Sequence, residues 1–391
     1  MKNLYAKRAQ NYKRSFTREI LELTSRASVI SFAGGLPDVS LFPKNEIEEE
    51  IKNVVKSSDN SLFQYSSANG AKELRKEIAK RYFNTQVDDI LLTSGSQQGL
   101  DIVCKTFIDS GDLIVVESPS YLVALNLFKM YGAKILDVKL SKNGVDTQEL
   151  EKIFKERRPK FFYVIPIFQN PTGWTWNIDT RKKVADLARE YGVLIIEDSP
   201  YDALNYNDVK IVGFDKLLPK QTITLGTFSK VLAPDFRIGW MRAKREFVEI
   251  FQSMKENSDL QSSRFFQLVT ANMIKSKKLA LHIELLKRVY KDKRDAMAMA
   301  LDRHFGGDIE FQIPKGGMFF WIKFNDKIDT VRLFDFTIRY DIAFVPGAVF
   351  FNSQNSSSYA RLNFTNAGFD EIEEGIKRLK RGYMDYIQFI S

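Results

Sequence analysis

An α/β fold built on an open, mostly parallel sheet is predicted for this chain. Short apolar, β-branched runs recur between residues 90 and 242, and helical segments separate several of them. Small or polar residues also cluster just past the runs, where open α/β sheets bind ligands. The expected strands are 90–93, 113–117, 134–138, 161–165, 193–197, 222–225 and 238–242. Helices are expected over 97–108, 121–131 and 180–191. In the last, Val184, Leu187 and Ala188 fall on one face and Asp179 is the expected N-cap. A long helical stretch follows over about 246–303, then strands at 318–323 and 342–345 and an amphipathic helix from 370 to about 386. That tail is expected to form a second, smaller α+β unit, with the boundary near residue 290.

Composition limits the chemistry. With 391 residues the chain is long enough for two or three domains, and 44% apolar with 27% charged residues is an ordinary globular mix. The single cysteine, Cys104, excludes an intrachain disulfide framework. Histidine occurs only at His282 and His304, too few ligands with Cys104 for a cysteine–histidine zinc site and few bases for a serine or cysteine triad. The net charge of +9 comes from 58 basic against 49 acidic residues, which permits an anionic ligand or nucleic acid and identifies neither. Basic residues interrupt the N-terminus too often for a signal-peptide core, and no apolar run reaches the ~18 residues of a membrane span, so a soluble, cytoplasmic protein is expected. The Ser/Asn stretch 352–358 reads as a surface loop.

The strand ends carry the candidate chemistry. Ser94-Gly95-Ser96-Gln97-Gln98-Gly99 is either a phosphate-binding turn at a helix start or a plain strand–helix turn. No Gly-Lys-Ser/Thr phosphate loop and no Gly-x-Gly-x-x-Gly after a strand occurs, which disfavours nucleotides. Asp198 is either a cap or solvated charge, or a buried carboxylate holding a proton on a ring nitrogen. Asn170-Pro-Thr-Gly173 is a turn whose amide can also bond a ligand oxygen. The richest stretch runs from Thr222 to Trp240. There Thr227, Ser229 and Lys230 share one turn, and Arg237 follows seven residues after the lysine. Two hydroxyls and a guanidinium suit a phosphate, and a desolvated lysine beside another cation suits Schiff-base formation with a carbonyl. Taken alone, Lys230 would be an ordinary surface charge.

Together these residues resemble the pyridoxal 5′-phosphate enzymes of the aspartate-aminotransferase fold (fold type I). The likeness is greatest to the class I/II branch with kynurenine/2-aminoadipate and archaeal aromatic or multi-substrate aminotransferases. The markers stand in the family's order: Ser31-Phe-Ala-Gly-Gly-Leu-Pro37, Thr93-Ser-Gly-Ser-Gln-Gln-Gly99, Asn170-Pro-Thr-Gly173, Glu197-Asp-Ser-Pro-Tyr201, Thr227-Phe-Ser-Lys230 with Arg237-Ile-Gly-Trp240, Gly316-Gly-Met-Phe-Phe-Trp321, Val345-Pro-Gly347 and Arg361-Leu-Asn-Phe-Thr365. The resemblance implies a mostly parallel seven-stranded sheet sandwiched by helices in a large domain, 46–289. It implies a small domain from both chain ends, 1–45 with 290–391. Lys230 is implied as the lysine that carries the cofactor as an internal aldimine and shuttles the Cα proton. Asp198 is implied to pair with the pyridinium nitrogen, Asn170 and Tyr201 to bond the ring's phenolic oxygen, and Tyr121 to lie on the ring face. Ser96, Gln97, Thr227, Ser229 and Arg237 match the phosphate cup, and Tyr65 the tyrosine that reaches a neighbouring subunit's phosphate in a homodimer. Arg361 matches the clamp on the substrate α-carboxylate, with Gly35 near the same end.

Asp235 stands where the family usually has Gly; it brings a negative charge near Arg237 and would have to tolerate any left-handed backbone there. The implied activity is ping-pong transfer of an amino group to a 2-oxo acid, 2-oxoglutarate expected. A lyase or decarboxylase on the same fold is the alternative, and a ligand-binding regulator or DNA-binding protein a more remote one. No metal is implied. Arg18 stands where relatives place an arginine that reaches the substrate's distal group, favouring a second carboxylate; Tyr5, Phe16, Leu36 and Phe42 would instead line an aromatic pocket.

Overall fold

Strands apolar on both faces must lie between two layers of other elements. The computed structural model, which describes residues 4–10, 28–207, 211–353 and 357–391, places them there. After a two-residue strand β1 (Ile30–Ser31) come β2 (Ile90–Thr93), β3 (Leu113–Ser118), β4 (Lys134–Ser141), β5 (Gly144–Val145), β6 (Phe161–Val164), β7 (Leu194–Asp198), β8 (Thr222–Thr227) and β9 (Gly239–Arg242). They form one eight-stranded sheet in the order β2-β9-β8-β7-β6-β3-β4-β5. Only β9 and β5 run against the rest. The seven expected strands are all present. The eighth, β5, is a hairpin return at the sheet edge, too short for any periodicity to show.

Every residue of β2, β6, β8 and β9 is buried. One face of the sheet packs under Leu100, Val103, Leu125 and Phe128 of the helices Ser96–Phe107 and Leu122–Met130. The other packs under Phe154, Val184 and Leu187 of Thr147–Arg157 and Ile178–Tyr191. The last helix starts earlier than expected: its N-cap is Asn177, whose side chain accepts from the Thr180 amide at 2.8 Å, not Asp179. Asp179 lies in the first turn, where a negative charge still favours the helix dipole.

The stretch 246–303 is three helices, Arg245–Asp259, Arg264–Lys275 and Lys278–Phe305. They are separated at Leu260 (φ 59°) and Lys277 (φ 62°), non-glycine residues in positive φ that no apolar spacing reveals. The third helix runs straight through the expected boundary near residue 290.

Beyond it, β10 (Ile309–Phe311), β11 (Phe319–Phe324), β12 (Ile342–Ala343), β13 (Val345–Pro346) and β14 (Tyr359–Asn363) follow. The expected strand 342–345 is thus two. β13 joins the antiparallel sheet β10-β11-β14-β13, whereas β12 pairs in parallel with β1 and ties the N-terminal segment to the C-terminal unit. The helix Phe369–Ile390 closes the chain. Among the described residues no helix is long and apolar enough to cross a membrane.

Candidate active site

The parallel strands deliver their last residues to one edge of the sheet. Asp198 ends β7 and Thr227 ends β8, each the final residue of a strand expected to stop one and two residues earlier. Tyr121 lies three residues beyond β3, and Ser96 and Gln97 open the helix after β2. The antiparallel unit adds Arg361 from β14, and the N-terminal segment adds Gly35. With Asn170, Tyr201, Ser229, Lys230 and Arg237, all of these line one cavity of about 260 Å³.

The amine of Lys230 donates to the Gly35 carbonyl at 2.8 Å. Burial, then the nearby guanidiniums of Arg361 and Arg237, push its ammonium down to about 8. A neutral amine is the form that attacks a carbonyl. In the cofactor-free protein, the rate at which Lys230 captures an aromatic aldehyde should therefore rise with pH and level off above about 8. Borohydride trapping followed by peptide mapping reads this; a rate still climbing at pH ~10, as for a free lysine, would contradict it.

Asp198 is buried, and its two oxygens have different surroundings. Oδ2 accepts from the Tyr163 hydroxyl at 2.8 Å, while Oδ1 is buried with no hydrogen-bond partner. Burial raises the carboxyl and the Tyr163 bond offsets part of that rise, which leaves it at about 6 and mostly ionised at neutral pH. An unpartnered buried carboxylate oxygen costs roughly 1–3 kcal/mol or more, so Oδ1 fits a cationic N–H donor in the cavity.

The end of the cavity that suits an anion is built by the turn at Gly95 (φ 79°). A Cβ there would meet Arg237 Nη2 at 2.6 Å, so only glycine leaves the guanidinium its place. Arg237 donates to the Ser94 carbonyl at 3.0 Å, and the Thr227 and Ser229 hydroxyls sit 2.9 Å apart. The first amides of Ser96–Phe107 point the positive end of a helix dipole at the same place. A brace stands behind this turn, and its far members, Asp259 and Lys255, belong to no sequence marker. Ser94 N donates to Gln98 Oε1 at 2.7 Å, and Gln98 Nε2 donates to Asp259 Oδ2 at 2.7 Å. Asp259 in turn pairs at 2.9 Å with the fully buried Lys255. Asp235 lies exposed in the short 3-10 turn Pro234–Phe236; the positive φ of this bend falls on Arg237 (51°), so the aspartate has no left-handed backbone to tolerate.

At the opposite end Arg361 donates through Nη1 to Asn170 Oδ1 at 2.8 Å and through Nη2 to the Ala33 carbonyl at 2.6 Å. Its Nε is buried without a partner. The guanidinium lies over the rings of Phe319 and Phe350 at 4.3 and 5.1 Å. Burial pushes Arg361 down to about 10, so it remains cationic at neutral pH. Asn170 Nδ2 donates to the Tyr201 hydroxyl at 3.3 Å. Burial raises the phenols of Tyr201 and Tyr121, the latter to about 12, so both stay protonated donors.

Tyr65 is 77% exposed and outside this cavity. Arg18 and Phe16 lie outside the described residues. Tyr5 and Leu36 are exposed and Phe42 half-buried, and none of the three lines the cavity. Phe350, which belongs to none of the sequence markers, enters from the turn Gly347–Phe350 just after Val345-Pro-Gly347. A larger cleft of about 590 Å³, between Lys142 and Lys315, contains none of the candidate residues; chemistry rather than size selects the smaller cavity.

The family described as aminotransferase class I and II matches residues 29–379. Aromatic-amino-acid aminotransferase 1 of Thermococcus litoralis is 38% identical, over 96% of this chain and 93% of that protein. The 2-aminoadipate transaminase of Thermus thermophilus is 34% identical, over 96% of both chains. The crystal structure of α-aminoadipate aminotransferase from Thermus thermophilus, complexed with N-(5′-phosphopyridoxyl)-L-leucine, superposes with a TM-score of 0.93 at 32% identity, covering 99% of each chain.

Proposed function

The chain belongs to the aminotransferase class I and II family, pyridoxal 5′-phosphate-dependent transaminases, and we propose that it moves the amino group of an aromatic or acidic L-amino acid to 2-oxoglutarate in a ping-pong cycle. One observation carries the residue assignment. A lysine amine with its pKa lowered and a buried, unpartnered carboxylate oxygen belong to residues lining one small cavity, with an anion cup at one end and a caged arginine at the other. That donor and acceptor set fits the cofactor. When bound, the cofactor supplies a sink for the electron pair left at the substrate's Cα.

The chain's own groups do the rest. Lys230 Nζ would hold the cofactor by its aldehyde group and, as a freed neutral amine, would be the base that takes the substrate's Cα proton and passes it on away from Cα. Asp198 keeps the ring nitrogen protonated. Asn170 and Tyr201 bond the ring oxygen, and Tyr121 covers the ring face. Ser96, Gln97, Thr227, Ser229 and Arg237 hold the phosphate. Arg361 grips the substrate carboxylate, with Asn170 bonded beside it and Gly35 against the same end. The enzyme works as a cytoplasmic homodimer, in which Tyr65 reaches the phosphate of the second copy; its 77% exposure leaves it free to do so. The proposed division is a large domain, 46–289, and a small one from 1–45 with 290–391, with the helix Lys278–Phe305 shared across it; the parallel pairing of β1 with β12 supports joining the two ends.

A panel of amino donors against 2-oxoglutarate tests the substrate assignment, with Arg18→Ala as its partner experiment. In Arg18→Ala the kcat/KM for acidic donors, and that for 2-oxoglutarate, should fall about 10-fold or more, as for one charged contact, while the kcat/KM for aromatic donors, which reports the donor half-reaction alone, holds. Equal effects on both would remove Arg18 from the distal site. Oxo acid and ammonia formed over many turnovers without a second oxo acid would replace transfer by elimination, and release of amine with CO2 would replace it by decarboxylation.

A further inference from the structure

A carboxylate that must present one chosen oxygen to a ligand needs its other oxygen held. Tyr163 supplies that hold for Asp198. It is a fully buried residue of β6, in register with Ile196 of β7. Asp198 follows Ile196 by two residues and so lies on the same face of the sheet. The phenol spans that one pleat and donates to Asp198 Oδ2 at 2.8 Å. Its ring is fixed from the side by the edge of Phe128, with centroids 5.4 Å apart. Tyr163 does not line the cavity, and its strand neighbours Phe161 and Phe162 are phenylalanines, so the core here does not call for a hydroxyl. Burial holds the phenol's pKa well above its ordinary value, which keeps it a donor to the carboxylate at all working pH.

We infer that Tyr163 is a positioning residue. By occupying Oδ2 it fixes the carboxylate plane of Asp198 and leaves Oδ1 as the acceptor aimed at the cofactor's ring nitrogen. The inference rests on the proposed role of Asp198. It adds that the site's preference for a ring N–H over a ring C–H depends on a residue that touches neither cofactor nor substrate.

The test is a binding comparison on the cofactor-free protein. Pyridoxal 5′-phosphate and its analogue with C–H in place of the ring nitrogen are titrated against wild type, Tyr163→Phe, Asp198→Asn and the double variant, read by intrinsic fluorescence. Wild type should bind the natural cofactor more tightly, and Tyr163→Phe should shrink that preference roughly tenfold, the scale of one hydrogen bond to a charged group. Inorganic phosphate affinity should not change, because the anion cup is untouched. The double variant should show no loss beyond Asp198→Asn, since Tyr163 acts only through that carboxylate. Phenylalanine keeps the ring that packs on Phe128, and melting curves confirm that each variant is folded. If Tyr163→Phe kept the full preference while Asp198→Asn lost it, the inference would be wrong and the Asp198 assignment would stand. If Asp198→Asn also kept it, the Asp198 assignment itself would fall.

Discussion

Lys230→Ala should reduce amino transfer by at least about 10⁴-fold, the combined scale of losing a nucleophile and a general acid–base. The protein should also lose the visible absorbance band that cofactor loading gives the wild type. Cofactor affinity should fall much less, because the proposed phosphate cup of Arg237, Thr227, Ser229 and the turn at Gly95 is held together by bonds that do not involve the lysine. Lys230→Arg should be equally inactive. A guanidinium stays protonated at every working pH, whereas the lysine is pushed down to about 8 by burial, Arg361 and Arg237. The two histidines offer no substitute base, since neither lines the cavity. Stopped assays with a chromogenic oxo-acid readout, alongside absorbance spectra, separate the two effects. A Lys230→Ala protein that kept more than about 1% of activity would remove the lysine from the proton path.

The site residues legible in the sequence are those the backbone makes conspicuous. Gly95 and Gly239 stand beside strand ends and Asn170-Pro171 in the loop after β6, where turns need special conformations or close approach: a Cβ on Gly239 would lie 2.5 Å from the Gly95 carbonyl carbon. Lys230, Asp198 and Arg237 are charges beside such turns. What the sequence hides works through tertiary contact. Asp259 braces the phosphate turn from 161 residues away in sequence, across the seam between two helices. Tyr163 looks like any aromatic in an apolar strand, and its hydroxyl acquires a purpose only when β6 and β7 align. The breaks at Leu260 and Lys277 escape a reading of the sequence because left-handed backbone at a non-glycine residue has no compositional sign. Two-residue strands such as β5, β12 and β13 are likewise too short for alternation to appear.

Arg361 gives the second large effect, and two substitutions divide its charge from its shape. Arg361→Lys keeps a cation but loses the planar fork, which now bonds Asn170 and Ala33 in fixed directions over two phenyl rings. A lysine ammonium offers a point charge and no second parallel bond for a carboxylate. For every amino donor kcat/KM should drop by roughly 30- to 1,000-fold, matching the 2–4 kcal/mol span for truncating a buried charge contact. The loss should fall mainly on KM, with the bound cofactor's spectrum unchanged. Arg361→Ala should lose at least as much and add a second signature. Arg361 is one of the two cations that hold the Lys230 ammonium down, so removing it relieves like-charge repulsion and lets the lysine keep its proton to higher pH. In the cofactor-free Arg361→Ala protein, the pH at which aldehyde capture levels off should therefore move upward from about 8, whereas in Arg361→Lys it should stay. An unshifted profile in the alanine variant would mean that burial and Arg237 lower the lysine without Arg361. An unchanged kcat/KM in the lysine variant would mean that charge without geometry suffices to hold the substrate.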